Sequence, residues 1–343
     1  MKLRLPSFAW LLLLLSMSCR AFAAGTGSAE PSDLAERSRA LQRAATAVVG
    51  LQVIAVEGAR SSATLGSQRA GSGVVIGADG LVLTIGYLVL EAEQVQILTD
   101  HDRTLPARVV GYDSATGIGL VQALAPLQIE PAPLGRSGAL ALREALMIAS
   151  GGEEAAVSPA WLMSRRAFSG YWEYHINGAL FTTPPRRDHS GAGLFNGRGE
   201  LVGIGSLYLA DAGAADDTDR WPGNMFVPVD LLAPILPELR RTGSIAAHRR
   251  AWLGINCIEQ NGTLRVVRVT DDSPADVAGL QPGDSILRVD GSEVHALEAL
   301  WKALWLGAAE REVVLDIQRD GAAQTVKVFS VDRSATIKRP QGI

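Results

Sequence analysis

The sequence predicts a mainly β protein in two folded parts, an all-β unit followed by a smaller α+β unit. Three observations predict it. The chain has 343 residues, more than one hydrophobic core usually organises. From Val48 onward, short β-type runs alternate with turn signals. After a polar, basic, glycine-containing stretch at Arg240–Arg250, strand patterns become interleaved with two short helical ones.

The first residues read as a leader. Lys2 and Arg4 form a basic start, Phe8 to Met17 is an apolar run with five successive leucines, and Ala21-Phe22-Ala23 offers small cleavage positions. This is the pattern of a secretory signal peptide over residues 1–23, and the run is short for a bilayer span. An uncleaved anchor is the alternative. A lipoprotein reading of Leu15 to Cys19 is weaker, because the leucine sits one place too far from the cysteine. Cleavage removes Lys2, Arg4 and Arg20 and no acid, taking the formal charge from −4 to −7. It also removes Cys19, leaving Cys257 without an internal disulfide partner and reading as a small core residue.

Residues 24–46 read as a spacer and a helix. Asp33 and Glu36 fit a capping box, and Leu34, Leu41 and Ala45 follow with roughly helical spacing. Residues 47–240 carry the β pattern: Val48–Val56, Gly73–Ile76, Leu81–Thr84, Val95–Leu98, Ala107–Gly111, Leu201–Leu207 and Phe226–Val229. Short strands with regular turns argue for a sandwich or barrel. Leu231, Leu232, Ile235, Leu236 and Leu239 predict one amphipathic helix despite Pro234 and Pro237. Residues 241–250 read as a linker. Residues 251–333 hold strands at Ala251–Ile258, Leu264–Thr270, Ser285–Val289 and Val313–Arg319, with helices at Ala275–Ala278 and Leu297–Leu304. Residues 334–343 read as a frayed tail.

Composition excludes some functions. Apolar residues at 47% and charged ones at 20% describe a globular chain, and the negative charge offers no basic face for nucleic acid. No metal site or nucleotide loop is legible, so no cofactor is expected. Asp216-Asp217-Thr218-Asp219 reads as a solvated acidic loop, because the EF-hand spacing and its distal glutamate are missing.

The second domain carries a specific pattern: Trp252-Leu253-Gly254-Ile255, then Ser273-Pro274-Ala275, Ala278-Gly279-Leu280-Gln281-Pro282-Gly283-Asp284, and Ile286-Leu287-Arg288-Val289-Asp290-Gly291. In order and spacing it resembles the PDZ domains attached to HtrA proteases. That resemblance implies a groove for peptide C-termini. The N–H groups around Leu253 and Gly254 would hold the carboxylate. The strand through Asn256 and Ile258 would accept the peptide against the Leu297–Leu304 helix. Trp252, Ile255 and Trp301 complete the implied peptide-binding set. The alternative is a purely structural glycine turn.

The first domain resembles the same family over roughly residues 44–240, which implies a trypsin-like double β-barrel ahead of the PDZ domain. Gly71-Ser72-Gly73-Val74-Val75-Ile76 with Asp79-Gly80 and Leu83-Thr84 looks like the family's first hairpin. Leu134-Gly135-Arg136-Ser137 with Leu142-Arg143-Glu144 looks like its mid-barrel segment. Ser190-Gly191, Leu194-Phe195-Asn196 and Gly199-Glu200-Leu201-Val202-Gly203-Ile204 look like the nucleophile loop and the strand after it. Phe226-Val227-Pro228-Val229 looks like the segment that closes the barrel.

The catalytic positions depart from the family. Where it reads Thr-Asn-Asn-His-Val-Val, this chain reads Thr84-Ile85-Gly86-Tyr87-Leu88-Val89, so Tyr87 holds the histidine position. The aspartate position falls on Gly117. Ser190 remains, in Asp188-His189-Ser190-Gly191-Ala192-Gly193, where the family has Gly-Asn-Ser-Gly-Gly-Pro. A serine hydroxyl attacks when a neighbouring imidazole takes its proton. A phenol titrates near 10 and is a poor base at neutral pH, and glycine has no carboxylate. Asp188 replaces a glycine and would bring negative charge toward an oxyanion hole. Loss of a triad histidine costs on the order of 10⁶ in turnover in a studied serine protease. Ser190 is therefore a relic nucleophile or a turn residue.

Other groups offer little rescue. His101, His175, His189, His248 and His295 read as solvated or structurally bonded, with His175 the least excluded as a base. Asp113 lies four residues before Gly117 and is expected to point elsewhere. Trp161, Trp172 and Tyr174 read as core or loop-packing aromatics, with a peptide-binding surface as the alternative.

The resemblance and these departures together imply an exported pseudoprotease of the bacterial periplasm. Its expected partners are peptides or unfolded proteins with apolar C-termini, or an active HtrA relative that it regulates. The alternative is a serine endopeptidase in envelope quality control with an unusual base. HtrA relatives commonly trimerise through N-terminal segments, which leaves a homo-oligomer through Gly25–Thr46 open for this chain.

Overall fold

A computed structural model describes residues 31–99, 103–213 and 220–338. The leader, His101, the Asp216–Asp219 loop, the end of the tail and the Asp33 side chain of the capping box lie outside the described residues. The described chain opens with a helix, Pro31–Thr46.

Two closed six-stranded barrels follow. The first joins β1 (Val48–Ala55), β2 (Gln68–Val75), β3 (Leu81–Ile85), β4 (Ala92–Leu98), β5 (Thr104–Asp113) and β6 (Ile118–Ala123) in the order β1-β2-β3-β6-β5-β4. Its Val, Leu and Ile side chains point inward at alternate positions, as in β4, and fill the barrel. The pairing of β3 with β6 sets Thr84 opposite Gly119 and Ile85 opposite Ile118. That register brings Gly86-Tyr87 beside Gly117.

The second barrel joins β7 (Ala145–Ser150), β8 (Ala156–Ser169), β9 (His175–Thr183), β10 (Gly193–Phe195), β11 (Leu201–Leu209) and β12 (Gly223–Pro228) in the order β10-β11-β12-β9-β8-β7. β8 and β9 form a long hairpin that ends with Ser169 opposite His175 and carries residues 170–174 at its tip. Closure leaves neither barrel an open edge.

The C-terminal unit is a seven-stranded sheet ordered β13-β19-β18-β16-β15-β14, with β17 on β16. Its strands are β13 (Ala251–Trp252), β14 (Ile255–Gln260), β15 (Thr263–Val269), β16 (Ser285–Val289), β17 (Ser292–Glu293), β18 (Arg311–Arg319) and β19 (Ala322–Asp332). β14 is an edge strand, and the Leu297–Leu304 helix packs beside it, burying Leu297, Leu300, Trp301 and Leu304. Cys257 is buried in this core, as expected for a small apolar residue.

Four readings change. The Leu231–Leu239 helix is split into a 3₁₀ turn, Val229–Leu231, and a helix, Leu236–Thr242. Proline lacks an N–H, so Pro237 is tolerated only in the first turn of the later helix. The strand expected over Ala251–Ile258 is broken after Trp252, where Gly254 takes φ 87°. The connecting stretch is folded: Gly243 ends the helix in a left-handed conformation, and the 3₁₀ turn Ala246–His248 places His248 Nδ1 3.0 Å from Asp113. Finally, Ser334 is docked rather than frayed, because Asp332 accepts its N–H in a further 3₁₀ turn.

Candidate functional site

Ser190 lies on the loop between β9 and β10, and Tyr87 in the one-turn helix Gly86–Val89 that follows β3. Gly86 is required there, since a Cβ would fall 2.2 Å from the Tyr112 ring. The Tyr87 hydroxyl sits 2.8 Å from Ser190 Oγ and 2.8 Å from the Ser206 carbonyl oxygen. A carbonyl only accepts, so the phenol's single proton goes to Ser206, and Ser190 donates its proton to the phenol oxygen. Burial pushes the Tyr87 phenol up to about 12, against a smaller opposing effect of the Ser190 bond. The neighbour of Ser190 is thus a neutral phenol whose proton is already committed.

Gly117 occupies φ 80°, and a Cβ there would meet the Tyr174 hydroxyl at 3.0 Å. Tyr174 is buried and donates to the Thr116 carbonyl at 2.8 Å. Its ring stacks on Trp172, with centroids 5.7 Å apart and 12° between planes. An aromatic side chain fills the space above the glycine. Asp113 is buried, accepts from Thr116 N at 3.1 Å and Oγ1 at 2.7 Å, and pairs with His248. Its carboxylate is committed to these partners.

The expectation about Asp188 changes. Its carboxylate is engaged by Arg186, with Nε at 2.8 Å from Oδ1, and by Ser150 Oγ at 2.5 Å. Burial pushes the carboxyl up, but these bonds outweigh it and hold it below the usual carboxylate range. The charge is therefore neutralised where it stands. Two further imidazoles are bonded elsewhere: His175 Nδ1 to Ser169 Oγ at 2.9 Å and His189 Nδ1 to the Arg186 carbonyl at 3.0 Å. Burial lowers the affinity of His175 for a proton. Among the described residues, no acidic, His and Cys cluster suits a metal ion.

In the C-terminal unit, the structure brings Leu253, Gly254 and Ile255 together around one carboxylate that sequence reasoning missed. Glu173 Oε1 accepts the Gly254 N–H at 2.8 Å, the Ile255 N–H at 3.1 Å and the Leu253 N–H at 3.2 Å. Glu173 sits at the tip of the β8–β9 hairpin and is 3% exposed. Next to it, the Tyr171 carbonyl accepts the Cys257 N–H at 2.6 Å, and Trp172 bridges Asn256 in antiparallel register. Trp301 Nε1 donates to the Gly170 carbonyl at 3.0 Å. Leu297, by contrast, gives its N–H to Glu259 at 2.7 Å and makes no hydrogen bond to this hairpin tip. Trp252 lines a cleft of about 530 Å³, which also touches Tyr87, Glu173, His189 and Asn256. The only signal for Glu173 in sequence was an acid within the aromatic run Tyr171–Tyr174, which says nothing about its partner.

Among the described residues no imidazole hydrogen-bonds the Ser190 hydroxyl, and a cluster of backbone donors is occupied by a carboxyl group. The trypsin-like peptidase domain family matches residues 71–204, and the PDZ domain family matches residues 251–329. A probable periplasmic serine endoprotease DegP-like protein of Hahella chejuensis is 30% identical over 244 residues, 66% of this chain and 50% of that protein. Its counterpart in Ectopseudomonas mendocina is 27% identical over 277 residues, 76% of this chain and 56% of that protein. The chain therefore spans about half the length of the curated relatives it matches. Among solved structures, HtrA-type protease AlgW with decapeptide superposes with a TM-score of 0.52 at 19% identity, covering 87% of this chain and 98% of that one. The serine endoprotease from Yersinia pestis gives 0.51 at 22% identity, covering 86% and 97%. At these identities the likeness speaks for the fold.

Proposed function

Because this chain is an HtrA-like protein, a trypsin-like peptidase fold followed by a PDZ domain, we propose that it is a pseudoprotease that binds peptides or unfolded segments. The observation that carries this reading is the Tyr87 hydroxyl, 2.8 Å from Ser190 and spent on the Ser206 carbonyl. Nucleophilic attack needs a group that removes the serine proton, and a neutral phenol does not. Gly117 supplies no carboxylate to orient a base. The PDZ domain keeps its function in this reading, taking C-termini through the N–H groups of Leu253, Gly254 and Ile255 and through edge strand β14. Peptides with apolar C-termini are its ligands, and an active HtrA relative is a second partner it would regulate. The bacterial periplasm is its compartment, a reading supported by the relatives' names and the leader pattern of residues 1–23.

A second reading, a serine endopeptidase, draws on the retained Ser190 and on the relatives being named endoproteases. One experiment separates the two. A fluorophosphonate probe is applied to the purified protein and to Ser190→Ala, alongside digestion of an unfolded protein such as casein. The pseudoprotease reading expects equal labelling and no digestion. Labelling or cleavage that depends on Ser190 would establish the endopeptidase.

A further inference from the structure

The groove that the previous reading assigns to outside C-termini is already filled. Trp172 bridges Asn256 of β14 in antiparallel register, the pairing an added strand makes, with Gly170 and Glu173 on either side of it. The Tyr171 carbonyl takes the Cys257 N–H, the Gly170 carbonyl takes Trp301 Nε1, and the Glu173 carboxylate takes three loop amides at 2.8 to 3.2 Å. Those are the contacts that a peptide ending in a free carboxylate would make: edge-strand backbone bonds and an anion at the N–H cluster. The carboxylate here belongs to a side chain in the middle of the chain. Arg333, just after β19, donates to the Glu173 carbonyl and fastens the segment from the other side.

We propose that Gly170–Glu173 is a built-in ligand of the PDZ groove, with the Glu173 side chain standing where a terminal carboxylate would bind. The occupant that displaces it is a peptide with a free C-terminal carboxylate, so the inference rests on the C-terminus-capture reading for that step.

The test uses the full chain. Hydrogen exchange is followed at the amides of Leu253, Gly254 and Ile255 in the wild type, E173A and E173Q. A fluorescent ten-residue peptide ending in leucine, with a free or amidated terminus, is titrated into each. E173A should exchange those amides at least about tenfold faster and bind the free peptide at least about tenfold more tightly. E173Q keeps an oxygen for the same N–H groups and should stay near wild type at mildly acidic pH. Unchanged exchange in E173A would overturn the internal ligand. Faster exchange with equal, measurable peptide affinity would overturn displacement. Faster exchange with no peptide binding by either protein would keep the internal ligand and remove the C-terminus-capture reading. Should E173A not fold, E173D carries the same test, since it draws the carboxylate back by one methylene while keeping its charge.

Discussion

The Tyr174 hydroxyl lies 3.0 Å from where a Cβ on Gly117 would stand, at a backbone φ of 80°. Two costs therefore meet at the position that the resemblance sets against the family's aspartate. A side chain there takes a left-handed conformation, worth roughly 1–2 kcal/mol, and it must also displace a buried phenol. Gly117→Asp should destabilise the protein by about 2 kcal/mol or more, seen as a lower urea midpoint. The double variant Tyr87→His with Gly117→Asp should show little turnover of an unfolded substrate. Robust turnover would mean that Tyr174 yields the space easily.

Tyr87 is also structural. Its hydroxyl satisfies the carbonyl of buried Ser206 and meets Ser190 Oγ. Tyr87→Phe leaves both without that partner and should cost about 1–3 kcal/mol, read from the denaturant midpoint. Fluorophosphonate labelling should not change. A gain in labelling would show that the phenol restrains an otherwise competent serine.

The docked hairpin tip should respond to pH. Burial is the largest influence on the Glu173 carboxyl and pushes it up to about 7, against opposing effects from Arg333 and the three loop amides. The other titratable group facing it is the Cys257 thiol, which burial holds neutral. A carboxyl raised in the docked state binds a proton more tightly there than when released. Its stabilisation is present below the ordinary value near 4.5 and is lost as pH rises through about 7. A peptide's terminal carboxylate is ionised in solution across this range. Affinity for a free C-terminus should then rise about tenfold between pH 6 and pH 8. E173Q should flatten the profile, which separates Glu173 from His175, two residues further along the hairpin. A wild-type profile as flat as that of E173Q would refute the assignment.

Gly254 serves the same site through shape. Its φ is 87°, and a Cβ would lie 2.3 Å from Ser273 Cβ. Even Gly254→Ala should disturb the loop that presents the three N–H groups. Peptide binding should fall at least tenfold while barrel amides keep their protection in hydrogen exchange. Undiminished binding by this variant would show that the carboxylate enters elsewhere.

The sequence by itself determined the architecture and the chemical identity of the reactive positions. Alternating apolar residues between turn signals specify strands because strand side chains repeat every two residues, and such local patterns survive in one dimension. Tyr87, Gly117 and Ser190 were singled out by another route, the resemblance to HtrA proteases carried by the motifs from Gly71 to Thr84, around Ser190 and over Ala278–Asp284. The broken helix at Leu231–Leu239 was half legible, since its prolines were in view but the tertiary packing that chose the break was not. What only the tertiary structure decided are relationships across the fold. Tyr87 meets Ser190 over 103 residues of chain, and Glu173 meets Gly254 over 81. His248 pairs with Asp113 across 135 residues, so a stretch read as linker is bonded to the first barrel. A carboxylate in an aromatic run carries no local mark of the amides it will meet. Its partner is set by where two separately folded sheets come to rest, and hydrogen bonds over that distance depend on geometry that sequence periodicity does not encode.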